Sequence, residues 1–274
     1  MSARPAKSRR LAAHAGSLLA LAFFAVALVG PWIAPRAPSA IDLRHAFELP
    51  SAAHWLGTAD NGIDIVSVLL HGARLAALVA LGSVGLSLTV GAPLGALAGT
   101  RGGWIDRGVM ALADLVQSFP SIVLHVAVVA LIARPSVVVV ILALAANGWA
   151  PHARLARAQA LSLRERDFVL AARALGASEA RVVLRHVLPN LAGPLVVSAT
   201  SALGAAVLAE STLSFLGLGP GLSTSWGALL DQGASVILRF PHVALVSGGA
   251  LALTVLALNL AGDELRDRFD PRSR

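Results

Sequence analysis

Six stretches of this chain carry no Asp, Glu, Lys or Arg: Leu11–Pro35, Leu75–Ala98, Leu115–Ala133, Ser136–Trp149, Leu191–Ala209 and Pro241–Gly262. At about 1.5 Å of rise per residue, a helix of about 20 apolar residues crosses a hydrocarbon core about 30 Å thick. With 56% hydrophobic and 14% charged residues and a mean hydropathy of +0.74, the 274 residues hold more apolar surface than one soluble core hides. Lipid is therefore the expected solvent, and the expected fold is all-α with six transmembrane helices. The formal charge of +7 comes without the stacking aromatics of a nucleic-acid surface, since aromatics are 5% and Tyr is absent, so nucleic acid is excluded as a partner. With no Cys, disulfides, thiolate metal sites and Cys nucleophiles are excluded too.

Taken in order, residues 1–10 form a basic tail and 11–35 the first span. That apolar run exceeds the about 7–15 residues of a cleaved signal peptide, so an uncleaved anchor is expected. Residues 36–74 are a polar outer segment turned at Pro38, Pro50, Gly57 and Gly62, with Ile65–Leu70 suited to a short surface helix. A five-helix core occupies 75–262, interrupted by the polar segment 152–190, and a tail follows at 263–274. Gly91, Gly95 and Gly99 share one helix face in the second span; either they admit a close helix neighbour, or they reflect the general frequency of Gly in membrane helices. Pro120 should kink the third span, and Arg134-Pro135 should form a tight return.

Charge orients these spans. With the N-terminus in the cytoplasm, 17 of the 22 Lys and Arg lie on inside segments, which also places the C-terminus and residues 152–190 in the cytoplasm. Trp32, Trp104 and Trp149 fall near span ends, where interfacial anchors are expected.

The interrupting segment His152–Asn190 holds seven arginines. Ser162 and Glu165 have the spacing of a capping box that starts a helix. Phe168, Ala172 and Leu175 then line one apolar face with Leu161, Gly176 suits a left-handed helix end, Ser178 can cap a second helix, and Pro189 should stop it. The product is a helix–turn–helix at the cytoplasmic face. Either it rests on lipid headgroups through its arginines, or its apolar ridge docks into another protein.

Leu170-Ala171-Ala172, then Gly176, then Val187-Leu188-Pro189 resembles the EAA motif of permease subunits in bacterial ATP-binding-cassette importers. Three further stretches look like the dipeptide, oligopeptide and nickel branch of that family: His54-Trp55-Leu56-Gly57-Thr58 through Gly72-Ala73-Arg74, Ser214-Phe215-Leu216-Gly217-Leu218-Gly219, and Asn259-Leu260-Ala261-Gly262-Asp263 through Asp270-Pro271. The resemblance implies a type I importer permease fold in the bacterial inner membrane and a peptide cargo, with nickel or a metal chelate as the alternative. It implies a second permease subunit, two ATPase subunits and an extracytoplasmic binding protein. It also implies that Phe168, Leu170, Ala171, Ala172, Arg173, Leu175, Gly176, Ala177, Leu188 and Pro189 couple to the ATPase. The chain lacks a G-x-x-x-x-G-K-[ST] loop, so ATP and Mg are expected on the ATPase partners, with no cofactor bound and no catalysis here. Two departures from the family pattern stand out. Leu170 replaces the motif's acid, and Gly62-Ile63-Asp64 with Val68 lacks two arginines usual in the outer segment.

Glu210 follows the fifth span directly and should face the bundle interior, either at the pathway or a gate, with Ser214, or as a packing group. Asn147 and Asn259 are expected to donate between helices. The eight histidines show no H-x-x-x-H or H-E-x-x-H pair, so no tight metal site is expected. An intramembrane protease would need a Ser–His pair, for which His125 is the only histidine well inside a span and no G-x-S-x-G is present, or paired intramembrane aspartates, and a secondary transporter would need repeated halves with broken midplane helices. Neither pattern is found.

Overall fold

The computed structural model describes residues 6–132, 135–220 and 224–269, with side chains from residue 15 onward. The expected return at Arg134 and the end of the last motif, Asp270-Pro271, lie outside them. Among the described residues the chain is helical without a strand. Its helices are α1 (Ala6–Ile33), α2 (Ile65–Arg101), α3 (Gly103–Gln117), α4 (Ser121–Ala130), α5 (Val137–Leu163), α6 (Asp167–Ala174), α7 (Glu179–Val182), α8 (Leu188–Phe215), α9 (Trp226–Ser235) and α10 (Pro241–Phe269). Five are long and apolar enough to cross a membrane, α7 and α8 counting as one through a π-turn at Val183–Val187; the bent pair α3–α4 brings the number to six.

The helix α2 begins ten residues before the apolar run, and the short surface helix expected at Ile65–Leu70 is its first turns. Asp64 caps it by accepting from the Ser67 amide at 2.8 Å. Ile65 and Val68 are buried against Ala59, Leu229 and Val243, so this stretch faces the protein rather than solvent. Val68, where the family pattern carries an arginine, is thus part of a small core.

The third span is broken more sharply than a kink. Pro120 cannot donate to a helix and sits at φ −55°, ψ 125°, and α3 and α4 meet there at 81°. Leu115–Gln117 therefore belong to α3. That helix lays Val109, Met110, Ala113 and Val116 on Trp149, Ala150 and Ala153 of α5.

Helix α5 continues to Leu163, well past the expected end at Trp149. Ala150, Ala153, Ala156 and Ala160 repeat at helical spacing and are buried, while Arg157 pairs with Asp106 and Arg154 with Asp114, both on α3. The arginines that signalled a loop are thus accommodated on a helix. Trp149 is buried and not an interfacial anchor, whereas Trp32 and Trp104 are exposed as expected.

The most extensive helix contact is α2 on α5, and the three glycines explain it. A Cβ on Gly91, Gly95 or Gly99 would stand 2.3, 2.0 or 2.6 Å from the carbonyl oxygens of Trp149, Ala153 and Arg157. Of the two sequence readings, close approach is the one realised. Helices α8 and α10 pack on each other, α8 also meets α2, and α1 lies across α2 and α10 with Gly16 against Leu260. Neither Asn147 nor Asn259 makes a side-chain hydrogen bond among the described residues, so the interhelical donors expected there are not formed.

Candidate functional site

Two features are built on this frame. The first is the hairpin of α6 and α7. The capping box expected at Ser162 and Glu165 does not form: Ser162 lies within α5 and its hydroxyl donates back to the Gln159 carbonyl at 2.8 Å, while α6 starts at Asp167 with Arg166 at its cap position. Gly176 ends α6 at φ +79°, with its amide on the Arg173 carbonyl (2.9 Å) and the Ala177 amide on the Ala172 carbonyl (3.0 Å). Ser178 then caps α7 through the Arg181 amide. Pro189 does not stop the second limb. The wider π-turn before it takes up the missing amide, and the helix runs on into α8.

The apolar face of α6 also differs from the expected one. Val169 and Ala172 are its buried residues, packed with Val182, Val183, Val187 and Leu191 against Ala92, Ala96, Ala156 and Ala160. Phe168, Leu170, Ala171 and Leu175 turn outward, and Leu175 is 88% exposed. Leu184 on the second limb is also exposed. Arg173 holds the hairpin together: its Nη2 donates to Glu179 across the turn (3.1 Å) and to the Thr100 carbonyl at the end of α2 (3.2 Å). Ala177 and Leu188 are half-buried at the base, and Pro189 is exposed. A rigid, capped hairpin with apolar side chains facing out is suited to an apolar groove on another protein.

The second feature is a cavity of about 430 Å³ between α2, α4, α5 and α8. Its wall is mostly apolar, with Val84, Leu144 and Ala206 on it; Ser83, Ser87, Ser121, Asn147, Ser198 and Ser201 are its polar residues, with His125 and His152 among them, and among the described residues no Asp, Glu, Lys or Arg lines it. His152 Nδ1 lies 3.1 Å from the Ser198 hydroxyl, while both ring nitrogens of His125 are buried without a partner. Sequence reasoning weighed His125 only as the histidine an intramembrane protease would need. The break at Pro120, which sets α4 against α5, is the signal that brings it to the cavity.

Glu210 and Ser214 are not on the cavity wall. Glu210 is buried, and its carboxylate accepts from Ser214 (2.7 Å), Ser225 (3.0 Å) and Ser211 (3.3 Å). Ser225 is also the cap of α9, so Glu210 joins the end of α8 to the start of α9. Glu210 and Ser214 thus tie α8 to α9 and do not line this cavity. The Ser214–Gly219 motif finds a matching use: Gly217, at φ +75°, ends α8, and Gly219 lies so close on Ser214 that a Cβ would meet its hydroxyl at 2.0 Å. Trp226, which sequence reasoning passed over, lies on Gly72 and donates to the Leu69 carbonyl at 2.9 Å, which accounts for Gly in Gly72-Ala73-Arg74.

A multi-pass helical bundle with a largely apolar cavity dotted with hydroxyls and imidazoles, and an outward apolar hairpin, has the form of a transport subunit. Residues 91–274 match the model for "Binding-protein-dependent transport system inner membrane component". A Brucella suis biovar 1 protein provisionally named a peptide permease is 41% identical over 261 residues, covering 93% of this chain and 85% of that protein. The dipeptide transport system permease protein DppC of Alkalihalophilus pseudofirmus is 35% identical, covering 94% and 85%. The glutathione transport system permease protein GsiD of Pectobacterium atrosepticum is 38% identical, covering 96% and 88%. The chain belongs to the binding-protein-dependent inner-membrane transport component family. It is thus a multi-pass permease subunit of an ATP-binding-cassette importer, working with ATPase and solute-binding partners.

Proposed function

We propose that this subunit forms half of the translocation route for peptides, in a complex of two permease subunits, two ATPase subunits and one binding protein. The peptide reading rests on the relatives above, whose names specify peptides, dipeptides and glutathione; nothing among them favours the nickel alternative. ATP and Mg are handled by the ATPase subunits. The hairpin α6–α7 docks on them from the cytoplasmic side, and both termini share that side, as the distribution of Lys and Arg supports.

The observation that carries the coupling role is the exposed apolar set Phe168, Leu170, Leu175 and Leu184 on a hairpin fixed to α2 from its other face. ATP-driven closure of the ATPase pair pushes that hairpin, and α7–π-turn–α8 passes the push into a wall of the cavity. The cavity's mostly apolar wall suits peptide side chains, its few hydroxyls, amide and two imidazoles suit a peptide's backbone and carboxylate, and the lack of a charged residue on the described wall permits release. Glu210 keeps α9 in place.

The test is site-specific cross-linking in the assembled complex. Cysteines at Leu175 or Leu184 should link to the ATPase subunit, and one at Trp104 should not. Links from Trp104 with none from the hairpin would sink the docking role.

A further inference from the structure

The eight histidines look unrelated along the sequence, yet the outer segment gathers two of them with a carboxylate. One ligand atom each from His45, Glu48 and His54 lies within 4.8 Å of the others. We infer that these residues form a divalent-metal site of the zinc type, which clamps the 42–54 loop to the head of α2.

Three observations lead there. Each imidazole has its Nδ1 committed to a carboxylate: His54 to Asp64 at 3.0 Å and His45 to Asp42 at 2.9 Å. In that arrangement Nδ1 carries the proton and Nε2 keeps its lone pair, which is how metal-ligating histidines are commonly prepared. Second, Glu48 Oε2 is buried without a hydrogen-bond partner and stands 4.0 Å from His54 Nε2. Third, the backbone beneath the ligands is fixed. Thr58 Oγ1 donates to the His45 carbonyl and accepts from the Glu48 amide, and the Thr58 amide donates to the Glu48 carbonyl at 2.9 Å. Ser51 binds His54 through both its amide and its hydroxyl.

Two imidazoles and one carboxylate make a His₂Glu donor set, which leaves a fourth tetrahedral position for water. Ligand atoms around zinc lie about 3.4 Å apart, whereas these three lie within 4.8 Å of one another, with His54 Nε2 and Glu48 Oε2 4.0 Å apart, so binding draws the exposed His45 and the half-buried Glu48 inward. Arg36 is a charge that opposes a metal here. Its Nη1 lies 2.9 Å from His54 Nε2 and 3.4 Å from Nδ1, nearly equidistant from two atoms on either side of Cε1. It therefore sits over the ring face and leaves the in-plane lone pair of Nε2 open. Arg36 is exposed, and its charge works against a metal until its side chain turns away. Asp64 also caps α2, so a metal on His54 joins the loop to that helix through one carboxylate.

The test is isothermal titration of Zn²⁺ into the full chain, purified in detergent and stripped with chelator. The expected result is one Zn²⁺ per chain. His45→Ala and Glu48→Gln, both partly exposed and therefore safe for folding, each weaken binding at least tenfold. Asp42→Asn weakens it by about tenfold, Arg36→Ala tightens it, and His71→Ala changes nothing. Absence of binding, or binding that persists equally in His45→Ala and Glu48→Gln, overturns the assignment. Because the readout is metal occupancy, either outcome is separable from the peptide-import reading.

Discussion

Replacing Gly95 with alanine tests the packing on which both the cavity and the hairpin depend. The added Cβ would lie 2.0 Å from the Ala153 carbonyl oxygen and 2.7 Å from the Ala153 Cα and carbonyl carbon. Ordinary contact begins at 3.4 Å, so α2 and α5 must part locally by about 1.4 Å. A gap of about 1 Å forfeits roughly a quarter to a half of each dispersion contact it opens. The neighbouring contacts of Ala92, Ala96, Ala156 and Ala160, all buried, open with it. The expected loss is about 1–3 kcal/mol, the range for an overpacked core. Gly85, on the same helix, has nothing within 4 Å of its Cβ position and serves as the control, with Gly85→Ala expected within about 0.5 kcal/mol of the parent chain. Thermal unfolding of the two purified variants in one detergent reads the difference. Equal melting temperatures for Gly95→Ala and Gly85→Ala would refute the reasoning that glycine is needed there for close approach.

Gly176→Val places a β-branched residue at φ +79°, costing about 1–2 kcal/mol locally, and should abolish ATP-dependent uptake while the melting temperature falls only slightly. Glu210→Ala leaves buried serine hydroxyls without their acceptor and should cost about 1–3 kcal/mol, with Glu210→Gln losing less because one oxygen remains; thermal unfolding checks the order. Leu170→Glu restores the acid of the EAA pattern at a half-exposed site, three residues before Arg173 and four after Arg166. It should add about 0.2–0.5 kcal/mol at low salt yet lower uptake, because it puts a charge into the exposed apolar set of the hairpin, as unfolding and transport assays in parallel will read. His125→Leu fills an unpartnered polar site with an apolar side chain; the fold should survive, and peptide uptake should slow with a change in substrate preference in a competition assay.

The spans were legible because the absence of charge over a long run leaves the backbone few options, and Gly176 and Ser178 were legible because a left-handed turn and a cap each favour a few residue types. Legibility failed where charge was used as the marker of a boundary. Arg154 and Arg157 read as loop residues, yet their partners Asp114 and Asp106 on α3 let α5 continue, and only the buried alanine stripe revealed it. Pro189 read as a stop because a π-turn leaves no local signature. Ser162 and Glu165 fit a capping box in spacing, but α5 already occupied Ser162. The cluster of His45, Glu48 and His54 was invisible because its ligands are assembled by turns of the outer segment rather than by helical spacing.

The measurement that bears most directly on the central claim is ATP-dependent peptide uptake by proteoliposomes holding the complete importer, with wild-type subunit or Leu175→Asp. Leu175 is 88% exposed on the hairpin, so the substitution leaves the fold alone and puts a charge where the ATPase docks. Peptide uptake by the wild type, and its loss in the variant with the subunit still folded in the membrane, is the predicted result. Equal uptake by both, or no peptide uptake by the wild-type complex, would contradict it.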